Sequence, residues 1–156
     1  MKLAKPYVEH LHGAVFIYVD THNHDSQLNT QRAQGVLVSP DREDLTIYIA
    51  ESQSSVLLAN LVDNGKLSLT VTNPLTSSAY LFNGTYMSHG PSDSKDRVIQ
   101  SIYLYKLNAA LHPVRTSMSD YRDPADLEPM VSILISINEI VELVNEKISA
   151  DIQRSS

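Results

Sequence analysis

The sequence predicts an α+β fold, mainly β, in which an antiparallel sheet curls on itself and helices flank it. Three observations carry that prediction. The segments GVLVS, LTIYIA, KLSLTVT and AYLFNGTY alternate apolar and polar residues with period two, the pattern of half-buried strands. A single short helical stretch, SSVLLANLVDN, interrupts them, whereas a parallel α/β sheet would place a helix after each strand. GVLVS and LTIYIA are joined by a turn, Pro40-Asp41-Arg42-Glu43-Asp44, as in a hairpin.

The elements follow in order. In AVFIYVDT, Val15, Ile17 and Val19 point one way and Phe16, Tyr18 and Asp20 the other, giving a first strand with one aliphatic face. His22 to Gln31 lacks periodicity and is rich in Asn and Asp, so it reads as an exposed loop. LTIYIA sets Leu45, Ile47 and Ile49 against Thr46 and Tyr48, and KLSLTVT sets Leu67, Leu69 and Val71 against Ser68, Thr70 and Thr72. The second face is rich in hydroxyls and could floor a shallow polar site.

Between those strands, Ser54 or Ser55 is the expected helix cap, and Asn64-Gly65 the expected left-handed stop. Gly90-Pro91-Ser92-Asp93 reads as a turn and N-cap for a longer amphipathic helix through Val98, Ile102, Tyr105 and Ala109, ending before His112-Pro113. Val114 to Pro129 is expected to be an irregular cover, anchored by Leu127 and Met130. VSILISIN is a half-buried strand; the segment INEIVELVNEKI after it fits either more strand or a terminal helix, and Ala150 to Ser156 should fray. With no internal repeat or boundary, residues 1–156 are expected to form one domain.

Composition narrows the function classes. The chain of 156 residues has no cysteine, which removes disulfides, thiolate metal sites and cysteine nucleophiles. Its net charge of -6, without a local basic patch, argues against nucleic acid or anionic membrane as a partner. The segment after His12 is a strand broken by Asp20 rather than a signal sequence, and no run is long enough for a membrane span, so the expected location is the cytoplasm.

The order of these pieces resembles the FMN-binding split barrel of the pyridoxamine 5'-phosphate oxidase-like superfamily. The resemblance runs through Arg32 to Val38, LTIYIAESQSSVLLANLVDNGKLSLTVTNP, AYLFNGTY and the late strand ISINEIVELV, nearly the whole chain. It implies a homodimer that holds FMN in clefts between its subunits and uses it in an oxidoreductase reaction of unassigned substrate. It also implies which residues bind the cofactor. Arg32 or Gln34, read as lying on one face of one strand, corresponds to the phosphate-binding arginine, and Ser54 or Ser55 to the serine at the helix start. The basic residues that follow this serine in closer relatives are replaced by Ser55, Val56 and Leu57. Thr76, Ser78 and Tyr80 match the segment that supplies polar contacts from the partner subunit.

Other chemistries find less in the sequence. His10 and His12, like His22 and His24, share the i, i+2 spacing that projects two ligands to one side of an extended chain. A third ligand would have to come from Asp20, Asp25, His89 or His112, and the expectation is therefore no metal site. No nucleophile elbow is present for a hydrolase. The alternative to a flavoprotein is a split-barrel binding module without flavin, holding haem or another planar or anionic ligand, or a dimer whose site is vestigial.

Overall fold

The computed structural model describes residues 1–124 and 127–143. Three helices, α1 (Lys5–Leu11), α2 (Ser55–Asn64) and α3 (Ser94–Leu111), accompany seven strands. These are β1 (Phe16–His22), β2 (Leu28–Arg32), β3 (Val36–Val38), β4 (Asp44–Ala50), β5 (Lys66–Thr72), β6 (Ala79–Pro91) and β7 (Met130–Leu143). They form one sheet in the order β2-β1-β5-β6-β7-β4-β3, with every neighbouring pair antiparallel.

The sheet curls into a barrel because the chain itself joins its two edges. Ala33 donates its N–H to Ile17 O (2.8 Å) and the next residue, Gln34, donates to Tyr48 O (2.7 Å), so two consecutive amides bond to β1 on one side and β4 on the other. Gly35 makes the corner. Its φ of +152° suits glycine, and a Cβ there would sit 3.2 Å from the Tyr48 ring. Inside the barrel the period-two pattern is satisfied: Ile17, Val19, Leu69, Val71, Phe82, Ile133 and Ile135 are all fully buried.

The helices close what the sheet leaves open. Leu57 and Leu61 of α2 and Leu11 of α1 add buried side chains to the barrel core, while α3 lies over the outer face of β3 and β4, where Ile99 packs against Tyr48. Each helix is punctuated locally. Pro6 stands in the first turn of α1, Gly65 ends α2 at φ +71°, and Asp93 and Asp96 form a reciprocal capping box at the start of α3. No helix among the described residues is long and apolar enough to cross a membrane.

Several expectations need correction. A helix, α1, precedes the first strand, where the sequence pattern marks no element. The stretch His22 to Gln31 is not all loop: Leu28 onward pairs with β1, and only residues 23–27 turn, held by Asn23 Oδ1 accepting from the amides of Asp25 (2.9 Å) and Gln27 (3.0 Å). Gly90 and Pro91 belong to the end of β6, so the turn begins later. Arg32 and Gln34 do not share a strand, because the chain changes partner strands between Ala33 and Gln34. Neither Ser54 nor Ser55 caps α2 with its side chain. The segment INEIVEL continues β7 as strand to Leu143, paired with β6; its remainder and the expected fraying of 150–156 lie outside the described residues.

Candidate functional site

Gln34, Ser54 and Ser55 come to one end of the sheet. Val36 pairs with Ile47, so Gln34 runs beside the last residues of β4, and the 3-10 turn Glu51–Gln53 leads from there into α2. Ser54 is buried and spends its hydroxyl on Glu51 O (2.8 Å); Ser55 opens the helix and is exposed. With no capping side chain and no acid in its first turn, α2 presents unpaired amides and the positive end of its dipole. An anion is what such an end accommodates.

The start of α3 brings two cations to this end of the sheet. Ala50, the last residue of β4, pairs with Met130, and Met130 O accepts from Ser92 N (3.0 Å), so α3 starts at this same end with Lys95 and Arg97 in its first turns. Arg97 Nε is buried without a hydrogen-bond partner. The nearby Asp96 is already engaged, accepting from Tyr48 Oη (2.9 Å) and Ser132 Oγ (3.3 Å). Burial, then the Asp96 carboxylate, hold the Tyr48 phenol protonated well above the usual tyrosine range. Nothing local in the sequence flags Lys95 or Arg97. Only strand pairing brings them here.

Arg32 ends β2 opposite Tyr18, its guanidinium 4.8 Å from the centroid of the Phe16 ring. It also interacts with Tyr103, whose hydroxyl donates to Val15 O (2.5 Å) and whose pKa is pushed up to about 12 by burial, against the opposing pull of Arg32. Thr76 and Ser78 lie in the exposed β5–β6 loop, ordered by Asn73 Oδ1, which accepts from the amides of Leu75 (2.9 Å) and Thr76 (3.3 Å). Tyr80 packs edge-on against Tyr7 (5.4 Å) and His10 (4.7 Å), beneath α1. These three residues stand at the far end of the β6–β7 ribbon from α2: Ala79 pairs with Leu143, whereas Met130 pairs with Ala50. Within one chain they do not join Ser54 and Ser55.

The hydroxyl-rich face divides. Its β4 part lies under α3, and its β5 part is open, flooring a groove of about 630 Å³ lined by Lys66, Ser68, Asn83, Asn138 and Glu139 among others. The groove's polar groups bond one another: Ser68 Oγ donates to Asn83 Oδ1 (2.6 Å), and Asn83 Nδ2 to Glu139 Oε2 (3.2 Å). The first histidine pair is not on extended chain. His10 Nε2 meets Val71 O (3.0 Å), and His12 Nε2 accepts from Val38 N (3.2 Å), so helix geometry sends the two rings to different strands. Among the described residues no group of three potential ligands gathers for a metal.

The strand order, the chain-closed barrel and the placement of the helices define an antiparallel split barrel. No protein-family model matches the chain, and no curated protein matches it significantly. Solved structures do. HupZ of Group A Streptococcus is similar with a TM-score of 0.54 at 16% identity, over 90% of this chain and 94% of that one. A Lactobacillus delbrueckii protein assigned provisionally to the pyridoxamine 5'-phosphate oxidases gives 0.52 at 16%, over 90% and 93%. An F420 reductase gives 0.51 at 17%, over 89% and 98%. The fold is that of the pyridoxamine 5'-phosphate oxidase-like split barrels.

Proposed function

We propose that residues 1–156 act as one FMN-binding split-barrel domain, a flavin-dependent oxidoreductase that works as a homodimer. The observation that carries this reading is the uncapped, acid-free start of α2 at the end of the sheet where Gln34 and the first turns of α3 also arrive. A flavin phosphate needs several donors and positive charge, and that donor set fits it. The α2 amides, Ser55 and Gln34 supply hydrogen bonds; Lys95 and Arg97 supply charge; Arg32 adds a further cation at the barrel corner. Two of the similar structures carry the names of redox enzymes, which supports the same class. When bound, FMN supplies hydride and electron transfer, and the protein positions it and shields it from water.

A second copy has a place to dock. The outer face of β1, β5, β6 and β7 that α3 does not cover exposes Tyr18, Val141 and Leu143 beside Phe16 and Leu81. Thr76 and Ser78 then reach the cofactor from the partner, while Tyr80, locked against α1, supports their loop. A chain without cysteine needs no oxidising compartment, and the cytoplasm suits it.

The test is a visible spectrum of the purified protein, followed by titration with FMN and, separately, riboflavin. Flavin absorption or saturable FMN binding is expected. Arg97→Gln should weaken FMN about tenfold and leave riboflavin unchanged, since only FMN carries the phosphate. A Soret band in place of flavin absorption would favour the haem-binding alternative, and a colourless protein indifferent to FMN would remove the flavin reading. Sedimentation equilibrium checks assembly: Tyr18→Asp should convert the dimer to monomer, and a wild-type chain that is monomeric at micromolar concentration contradicts it.

A further inference from the structure

Away from the α2 end, a separate cavity of about 250 Å³ opens between the end of α1, strand β3 and the middle of α3. Its walls are apolar. Leu11, Val36 and Tyr103 are buried core residues, and Leu37, Ile99 and Ile102 complete the lining, with Ile102 left 43% exposed at the rim. Two polar side chains interrupt this surface, His12 and Lys106, and among the described residues no carboxylate lines it.

Both polar groups are donors. The Val38 amide can only donate, so the His12 Nε2 it contacts (3.2 Å) is an acceptor, which leaves the proton of the neutral ring on Nδ1. Partial enclosure of the ring, reinforced by the Lys106 charge, lowers the His12 pKa and favours that neutral form. Lys106 Nζ donates one hydrogen bond, to His12 O (3.3 Å), and an ammonium has three to give. An apolar cavity whose lining includes one cation and one neutral imidazole with an N–H to donate is complementary to a single carboxylate on an apolar body. Its volume, below that of a drug-sized pocket, sets the body at a short alkyl chain or one ring.

We propose that this cavity is a binding site for a small amphipathic monocarboxylate, with the carboxylate at Lys106 Nζ and His12 and the apolar part against Leu11, Val36, Ile99 and Tyr103. Its lining shares no residue with the donor set proposed for the flavin phosphate, although Tyr103 also interacts with Arg32. Octanoate serves as the probe and 1-octanol as its uncharged control, followed by NMR of the full chain at the isoleucine and leucine methyls and the His12 imidazole. Octanoate should shift Ile99, Ile102 and His12 saturably while Leu75, exposed in the β5–β6 loop, stays in place. Lys106→Met keeps the aliphatic stem and removes the charge, and it should weaken octanoate about tenfold or more while leaving octanol unchanged. Ile102→Glu, on an exposed rim position, should weaken octanoate by placing a like charge at the mouth. The proposal is overturned if octanoate leaves the cavity resonances unmoved at millimolar concentration, or shifts Leu75 equally. It is overturned too if octanol binds as tightly, or if Lys106→Met binds octanoate like the wild type.

Discussion

Replacing Gly84 by alanine tests a close backbone approach in the barrel. Gly84 pairs with Ile137 where the β6–β7 register shifts, and a Cβ added there would lie 2.9 Å from Ser136 O and 3.4 Å from Ile137 Cδ1. The oxygen is backbone in a paired strand and Ile137 is fully buried, so neither can yield without opening the β6–β7 ladder. Overpacking of this kind costs roughly 1–3 kcal/mol. Alanine returns about 0.4–1 kcal/mol by restricting the unfolded chain. Taking the middle of each range, the net loss is about 1.3 kcal/mol, a fall of roughly 3–5 °C in Tm for a chain of this length. Gly90 is the control: it lies on the same strand, and its Cβ would meet nothing within 4 Å, so Gly90→Ala should leave Tm unchanged or slightly higher. Thermal unfolding of both variants by circular dichroism decides the matter. A Gly84→Ala protein as stable as Gly90→Ala would refute the close packing of β6 on β7.

Two further expectations concern buried phenols. Tyr48→Phe removes the 2.9 Å hydrogen bond to Asp96 and should cost about 1.5–3 kcal/mol in urea unfolding, with a clear coupling energy in a double-mutant cycle with Asp96→Asn; additive effects would show that the two groups do not interact. The Tyr103 phenol titrates at about 12 when folded, against about 10 when unfolded, so the folded state holds this proton more tightly. Its contribution is complete below about pH 10 and is lost as pH rises through about 12. The urea midpoint should fall across that window, and Tyr103→Phe should fall less steeply; an identical slope in the variant would contradict the burial assigned to this ring.

How far the candidate site could be read from the chain depends on what each residue needed. Gly65 and Asp93 act on their own neighbours, so the end of α2 and the start of α3 were legible from spacing alone. Ser54 shows where such reading stops. A serine before an apolar helix is a good cap in isolation, but the 3-10 turn ahead of it offers Glu51 O, and the hydroxyl turns there instead. Arg32 and Gln34 look like strand neighbours until the barrel closes between them, because the hydrogen bonds that separate them go to Ile17 and Tyr48, remote in sequence. His10 and His12 likewise lose their apparent pairing once α1 turns one ring toward β5 and the other toward β3.

By itself the sequence determined the alternating strands, the two longer helices and the curled antiparallel sheet, because period and punctuation are local properties that solvent and backbone geometry enforce wherever the chain goes. Only the tertiary structure decided that α2 and α3 start from the same end of the sheet. The pairing of Ala50 with Met130 and the bond from Ser92 to Met130 bring the first turns of α3, with Lys95 and Arg97, to the end of the sheet from which α2 starts. Charge acts through space, and its neighbours are set by strand register rather than by order along the chain.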